Sequence, residues 1–289
     1  MMTVARRMIV CGAVTLCGSI AFGEARPLVP GFADFGTISS DLECTVFESI
    51  SGQQFQIASA EKPLEVGQFV FVQGDVFDGP TIWCDQPVLM AKEIAPAISE
   101  YGTLVQGFEC LIFQTQDGEL YQIDPQVGFM PGDFVHVTAA VHICVSFCGL
   151  PCLTDAIVEP AFSGCGTITF GIECPLFVGD EGGAFLLIGV PGATIGNRLH
   201  VTGIVDPFCI SFCFATCLEA EFFEDATADL NCDGVVNGID LGQLLANWSI
   251  PAGSPGCGGG IGLCTSDLNL DGVVDGLDLG LLLASWSGV

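Results

Sequence analysis

Two stretches late in the chain carry oxygen-bearing side chains at a spacing suited to a hard divalent cation. The first is Asp229-Leu-Asn-Cys-Asp-Gly-Val-Val-Asn-Gly-Ile-Asp240; the second, starting 38 residues later, is Asp267-Leu-Asn-Leu-Asp-Gly-Val-Val-Asp-Gly-Leu-Asp278. Side-chain oxygens fall at positions 1, 3, 5, 9 and 12 of each twelve-residue loop, with Gly234 or Gly272 making the sharp turn at position 6. That pattern wraps a loop around Ca²⁺. The expected ligands of loop 1 are Asp229, Asn231, Asp233, Asn237 and Asp240 through side chains and Val235 through its backbone carbonyl. Those of loop 2 are Asp267, Asn269, Asp271, Asp275 and Asp278, with Val273 supplying the carbonyl. One Ca²⁺ is expected in each. By charge count loop 2 should be the tighter site, because Asp275 stands where loop 1 has Asn237. Asp at position 12, where Glu is usual, shortens the reach of the bidentate ligand. The alternative is a pair of Asp/Asn/Gly-rich turns that bind nothing; agreement of both loops at every ligand position argues against it.

The elements that must position these loops are short helices. Leu241, Leu244, Leu245 and Trp248 are spaced i, i+3, i+4 and i+7, and Leu279, Leu282, Leu283 and Trp286 repeat the spacing. Each loop therefore opens into a helix with one broad apolar face. The stretch before loop 1 is short and acidic, so this is not the ordinary helix-loop-helix hand. Residues 227–289 resemble the dockerin module in their paired loops, Asp at position 12 and Leu-rich helices. The resemblance implies a small all-α Ca²⁺-binding domain that docks a cohesin-like or cell-envelope protein through loop positions 10 and 11 and the outward helix face. Those positions are Gly238-Ile239 and Gly276-Leu277 here, where dockerins often carry hydroxyl residues. The implied contact is apolar: Ile239, Leu245 and Ala246 in one half, Leu277, Leu283 and Ala284 in the other. Ile239 and Leu277 are open to a second reading as core residues of the module.

Residues 1–23 read as a signal peptide: Arg6 and Arg7 precede the apolar run Met8 to Phe22, and Ala21-Phe-Gly23 offers small residues for cleavage. The Arg pair also admits twin-arginine export. No later run approaches the ~18 apolar residues of a membrane span. An exported chain is expected, extracellular, surface-bound or periplasmic, without membrane insertion. Of 16 cysteines, Cys11 and Cys17 fall in the signal segment. The even remainder reads as a disulfide framework in an oxidising compartment.

Between signal and loops lies a threefold repeat. Phe35-Gly-Thr37 leads to Glu43-Cys-Thr-Val-Phe47, Tyr101-Gly-Thr103 to Glu109-Cys-Leu-Ile-Phe113, and Cys165-Gly-Thr167 to Glu173-Cys-Pro-Leu-Phe177. A turn at Gly67, Gly132 or Gly196 then precedes an alternating strand whose inward face is Val70/Val72/Gly74/Val76, Val135/Val137/Ala139/Val141 or Leu199/Val201/Gly203/Val205. The expected modules are 36–100, 101–164 and 165–226, each with about five short strands, as suits a small closed barrel. The fold class is mainly β with the small helical domain at the end. The pattern is similar to an OB-fold, with Gly132-Asp-Phe-Val-His-Val137 as a third strand; a sandwich is the architectural alternative. The repeats suggest disulfides Cys44 to Cys84, Cys110 to Cys148 and Cys174 to Cys213, with Cys144 to Cys152 and Cys209 to Cys217 in the last two units. Cys165, Cys232, Cys257 and Cys264 remain open, and the linker carrying the last two could be pinned to Cys232.

Six basic residues stand against 34 acidic ones, which disfavours nucleic acid and anionic membranes as partners. Catalytic signals are few. His136 and His200 read as solvated residues on equivalent strands, and Asp75, Asp133 and Glu181 are acids without a spacing that marks a pair. Glu43, Glu109 and Glu173 recur once per unit, which favours a structural role. The expectation is a non-enzymatic exported protein whose β-modules are attached by a Ca²⁺-dependent module. The alternative is an accessory or enzymatic component of a polysaccharide-degrading complex, with Trp83 more readily read as packing on Cys84 than as a sugar platform.

Overall fold

The computed structural model describes residues 29–41, 44–58, 64–77, 86–145, 148–171, 173–251 and 264–287. The expected signal segment, Trp83, Cys84 and Cys257 lie outside the described residues. The chain is mainly β and divides into two compact units, Met1–Ala97 and Ile98–Val289. None of the described helices is long and apolar enough to cross a membrane.

In the first unit β1 (Val29–Asp41), β2 (Cys44–Ser49) and β3 (Gln54–Ala58) pair antiparallel in succession. β3 then pairs in parallel with the start of β5 (Val88–Gln106), β5 pairs antiparallel with β4 (Phe69–Phe77), and β4 returns antiparallel to β1. The pairing closes into a ring of order 1-2-3-5-4, so every strand has two neighbours and no edge is left to template aggregation. Alternation fills its interior: Val70, Val72 and Val76 of β4 pack with Ile38, Phe47 and Leu89.

The second unit repeats the ring twice. The later part of β5 joins β6 (Leu111–Thr115), β7 (Leu120–Ile123), β8 (Phe134–His142) and the start of β9 (Cys152–Phe170), again with one parallel pair, β7 with β9. The later part of β9 joins β10 (Pro175–Gly179), β11 (Ala184–Ile188), β12 (Arg198–Asp206) and β13 (Thr216–Asp225), with β11 parallel to β13. The alternating strand expected as the third of each unit is thus the fourth in sequence, because β3, β7 or β11 precedes it.

The Gly of the recurring aromatic-or-Cys-Gly-Thr signature has a steric cause. A Cβ on Gly36, Gly102 or Gly166 would lie 2.7, 2.8 or 2.5 Å from the ring of Phe47, Phe113 or Phe177. Those three phenylalanines are fully buried, one in the core of each ring.

Residues 227–287 carry the two helices, α1 (Gly238–Ala246) and α2 (Gly276–Ala284). Both stop before the tryptophans that the apolar spacing included. Trp248 and Trp286 lie past the caps Asn247 and Ser285, with 40% and 42% of their surface exposed. Leu244 and Leu282 are the fully buried apolar residues of the two helices, packed with Leu230, Leu268 and Val274 in a small core.

Candidate metal loops and their supports

Each loop is organised by its acidic residues gripping the backbone. In loop 1 the Asp229 carboxylate accepts from the N–H groups of Asp233 (3.2 Å) and Gly234 (2.8 Å). Asp240 accepts from Leu230 (2.7 Å), Asn231 (3.2 Å) and Asn237 (2.8 Å). Loop 2 reproduces the set: Asp267 accepts from Asp271 and Gly272, and Asp278 from Leu268, Asn269 and Asp275. Positions 9 and 12 also form the capping box that starts each helix, Asn237 with Asp240 and Asp275 with Asp278. The backbone enters the left-handed region at positions 4 and 6 of both loops, at Cys232 and Gly234 and at Leu270 and Gly272. Gly is the natural residue there at position 6, which explains its recurrence.

The two halves lean on each other reciprocally. Position 8 of loop 1, Val236, bonds Ser287 beyond α2, and position 8 of loop 2, Val274, accepts from Ser249 beyond α1.

Burial makes the electrostatics demanding. Asp229, Asp240, Asp267 and Asp278 are all buried, Asp240 and Asp278 completely, yet residues 227–289 contain no Lys, Arg or His. Burial pushes the Asp267 carboxyl above its ordinary value; the Gly272 N–H opposes that rise and neighbouring Asp278 and Asp271 add to it. Exposed Asp233 goes the other way, lowered by hydrogen bonds from Asn231 and the Val235 N–H. The Asn231 side-chain oxygen, at position 3 of loop 1, is buried and accepts no hydrogen bond. Among the described residues no three His, Cys, Asp or Glu side chains converge as a ready metal cluster. The acidic oxygens point instead to backbone N–H groups, which leaves lone pairs on the same atoms.

The six apolar residues named for partner contact are all exposed: Ile239 (57%), Leu245 (50%), Leu277 (64%) and Leu283 (52%), together with Ala246 and Ala284. Ile239 and Leu277 are therefore not core residues of the module.

No protein-family model matches the chain, and no curated protein matches it in sequence.

The disulfides Cys110–Cys148, Cys144–Cys152, Cys174–Cys213 and Cys209–Cys217 are the pairs suggested by the repeats. Cys44 and Cys264 are also disulfide-bonded. Cys232 is not joined to the linker between the loops; it pairs with Cys165 of β9.

His136 is not solvated: it is 7% exposed, its ring lies 4.7 Å from that of Tyr101, and its nitrogens face Ser99 (3.1 Å) and Glu159 (3.4 Å). The cause is that both faces of β8 are covered over Val135–Ala140. His200 is half-buried beside Glu224. Asp75 is paired with Lys92 at 2.8 Å, and hydrogen bonds from Lys92 and the Gly31 N–H hold its carboxyl below the usual range. Asp133 caps a turn through the Met130 N–H, and Glu181 is exposed at another turn. Of the recurring glutamates, Glu109 and Glu173 are exposed at the turn entering the second strand of their rings; Glu43 lies outside the described residues.

Arg198 was given no role by spacing. It is 4% exposed, the sole Lys or Arg after residue 97, and that singularity was the available signal.

Proposed function

We propose that residues 227–289 form a dockerin-like module that binds two Ca²⁺ ions and attaches an exported, non-enzymatic array of OB-like β-barrels to a cohesin-like or cell-envelope protein. The observation that carries the metal half is the burial of four carboxylates at positions 1 and 12 of both loops in a stretch without one basic residue. Burying ionised carboxylates calls for a compensating cation. The orphaned Asn231 oxygen fits the same need. Asp229, Asn231, Asp233, Asn237 and Asp240 would hold one ion with the Val235 carbonyl, and Asp267, Asn269, Asp271, Asp275 and Asp278 the other with that of Val273. The bound ions would neutralise clustered charge and tie each loop to the helix that it caps.

Attachment is supported by the exposure of Ile239, Leu245, Leu277 and Leu283 on a module whose own core is already closed by Leu244 and Leu282. The two loop-helix halves present similar apolar contacts, so a partner would engage either one. The ring order 1-2-3-5-4 with its single parallel pair supports the OB-like reading of the β-modules. Their disulfides and the acidic surface suit an extracellular or periplasmic setting.

The test is capture of partners from the source cell envelope on the immobilised full chain, with Ca²⁺ and with chelator, and identification by mass spectrometry. Retention should require Ca²⁺ and respond weakly to salt. Ile239→Glu or Leu277→Glu alone should leave most binding intact, and the double variant should abolish it while Ca²⁺ binding persists. Equal retention in chelator would remove the module from the recognition step.

A further inference from the structure

The third β-ring departs from the other two at two neighbouring positions, and both departures reach loop 1. The first ring stacks Phe35 on Phe69 at 6.3 Å and the second stacks Tyr101 on Phe134 at 6.2 Å. In the third repeat the corresponding residues are Cys165 and Arg198. Cys165 is joined to Cys232, position 4 of loop 1. Arg198 holds Asp180 through both carboxylate oxygens, at 2.9 and 2.7 Å, and Asp180 in turn donates its N–H to the Cys165 carbonyl. The Arg198 Nε and the same Nη2 that faces Asp180 are directed at the carbonyl of Asp229 (both 3.4 Å), and Nη2 also at that of Leu230 (3.5 Å), positions 1 and 2 of the same loop.

Three of the first four residues of loop 1 are thus gripped from outside the loop by groups that need no cation. Loop 2 has a thinner hold. Its position 4 is Leu270, whose side chain lies over Gly196 of the third ring, close enough that a Cβ there would meet it.

We propose that Arg198 and the Cys165–Cys232 disulfide are positioning elements of the first Ca²⁺ loop: the third ring holds Asp229–Cys232 in place before the ion arrives, so in the intact chain loop 1 fills before loop 2. This rests on the Ca²⁺-binding reading above. The physical reason is that affinity in such loops depends on site rigidity as well as ligand charge, and a pre-ordered loop loses less conformational freedom on binding. Pairing with Asp180 offsets the guanidinium charge, so the grip adds little repulsion toward a bound cation.

Hydrogen exchange of the full chain in chelator tests the hold without reference to binding. The amides of Leu230, Asn231, Asp233 and Gly234 should be protected about tenfold or more over their counterparts Leu268, Asn269, Asp271 and Gly272. Arg198→Met should shrink the difference, the Cys165–Cys232 disulfide keeping the remainder, and Arg198→Lys should restore part of what is lost. Ca²⁺ titration then reads the consequence. With loop 2 disabled by Asp267→Ala and Asp271→Ala, Arg198→Met should weaken binding by about tenfold or more, as loss of an outer-sphere support does. With loop 1 disabled by Asp229→Ala and Asp233→Ala, the same change should leave loop 2 within about threefold. If Arg198→Met fails to fold, the double variant Cys165→Ser, Cys232→Ser makes the same comparison. Equal protection of the two loops in chelator, or equal weakening of both by Arg198→Met, overturns this inference and leaves Ca²⁺ binding standing. A wild-type chain that binds no Ca²⁺ overturns both, and the titration alone identifies that case.

Discussion

Loops 1 and 2 have nearly the same interior and different exteriors. Position 12 accepts from position 2 at 2.7 Å in both, and from position 9 at 2.8 Å in both. Position 4 is left-handed in both, yet it is a disulfide cysteine in one loop and a half-exposed leucine in the other. Carboxylate spacing fixes each loop from within through hydrogen bonds to its own backbone, while position 4, whose side chain takes no part in that set, is free for the neighbouring fold to hold. Under the proposed Ca²⁺ binding, charge count favours loop 2 and rigidity favours loop 1, the two quantities that tune affinity in Ca²⁺ loops.

The largest effects should come from the shared core. Leu244→Ala and Leu282→Ala each empty a fully buried site and should cost about 2–5 kcal/mol by denaturant unfolding in Ca²⁺. The comparison predicts different consequences at the loops. After Leu282→Ala, loop 1 should keep its amide protection through the third ring, whereas loop 2 should lose protection in both variants. Equal collapse of both loops in Leu282→Ala would mean that the external hold on loop 1 is negligible.

A smaller change should act on loop 2 alone. Gly196 has φ +92°, and a Cβ there would lie 2.3 Å from Leu270 Cδ1. Gly196→Ala should therefore cost roughly 1–3 kcal/mol through backbone strain and displacement of Leu270. Exchange of Asn269 and Asp271 should rise while that of Asn231 and Asp233 stays put. A matching rise in loop 1 would show that the halves move as one body.

Much of this architecture was legible because it repeats. Three copies of the Gly-Thr signature, alternating strand and cysteine pair gave strand-rich units with the disulfides Cys110–Cys148 and Cys174–Cys213, since equivalent cysteines at equivalent separations have few other partners. Closure was expected from the size of each unit, but the parallel pair that completes it was not, because it joins segments distant in sequence. Burial of His136 escaped the alternation rule because β8 is covered on both faces. The hold on loop 1 was written as two exceptions, Cys165 and Arg198 in place of an aromatic pair, and exceptions to a repeat show that something has changed without naming the partner. Trp248 and Trp286 were drawn into helices by apolar periodicity, which does not record where a helix of nine residues meets its cap.

The finest test exchanges the one proposed ligand that differs between the loops. Asn237→Asp with Asp275→Asn moves the extra carboxylate from loop 2 to loop 1 and leaves the net charge unchanged. Both positions are helix N-caps that accept from the N–H two residues on, and Asn and Asp serve that role almost equally. The fold should therefore change by no more than about 0.5 kcal/mol in chelator. Ca²⁺ titration of the full chain then separates charge from rigidity. If the third ring decides the order, loop 1 fills first in the wild type, and its lead over loop 2 widens in the exchanged chain, where charge and rigidity act together. If carboxylate count decides it, loop 2 leads in the wild type and the order reverses on exchange. Adding Arg198→Met to the exchanged chain should shrink the lead in the first case and leave it unchanged in the second.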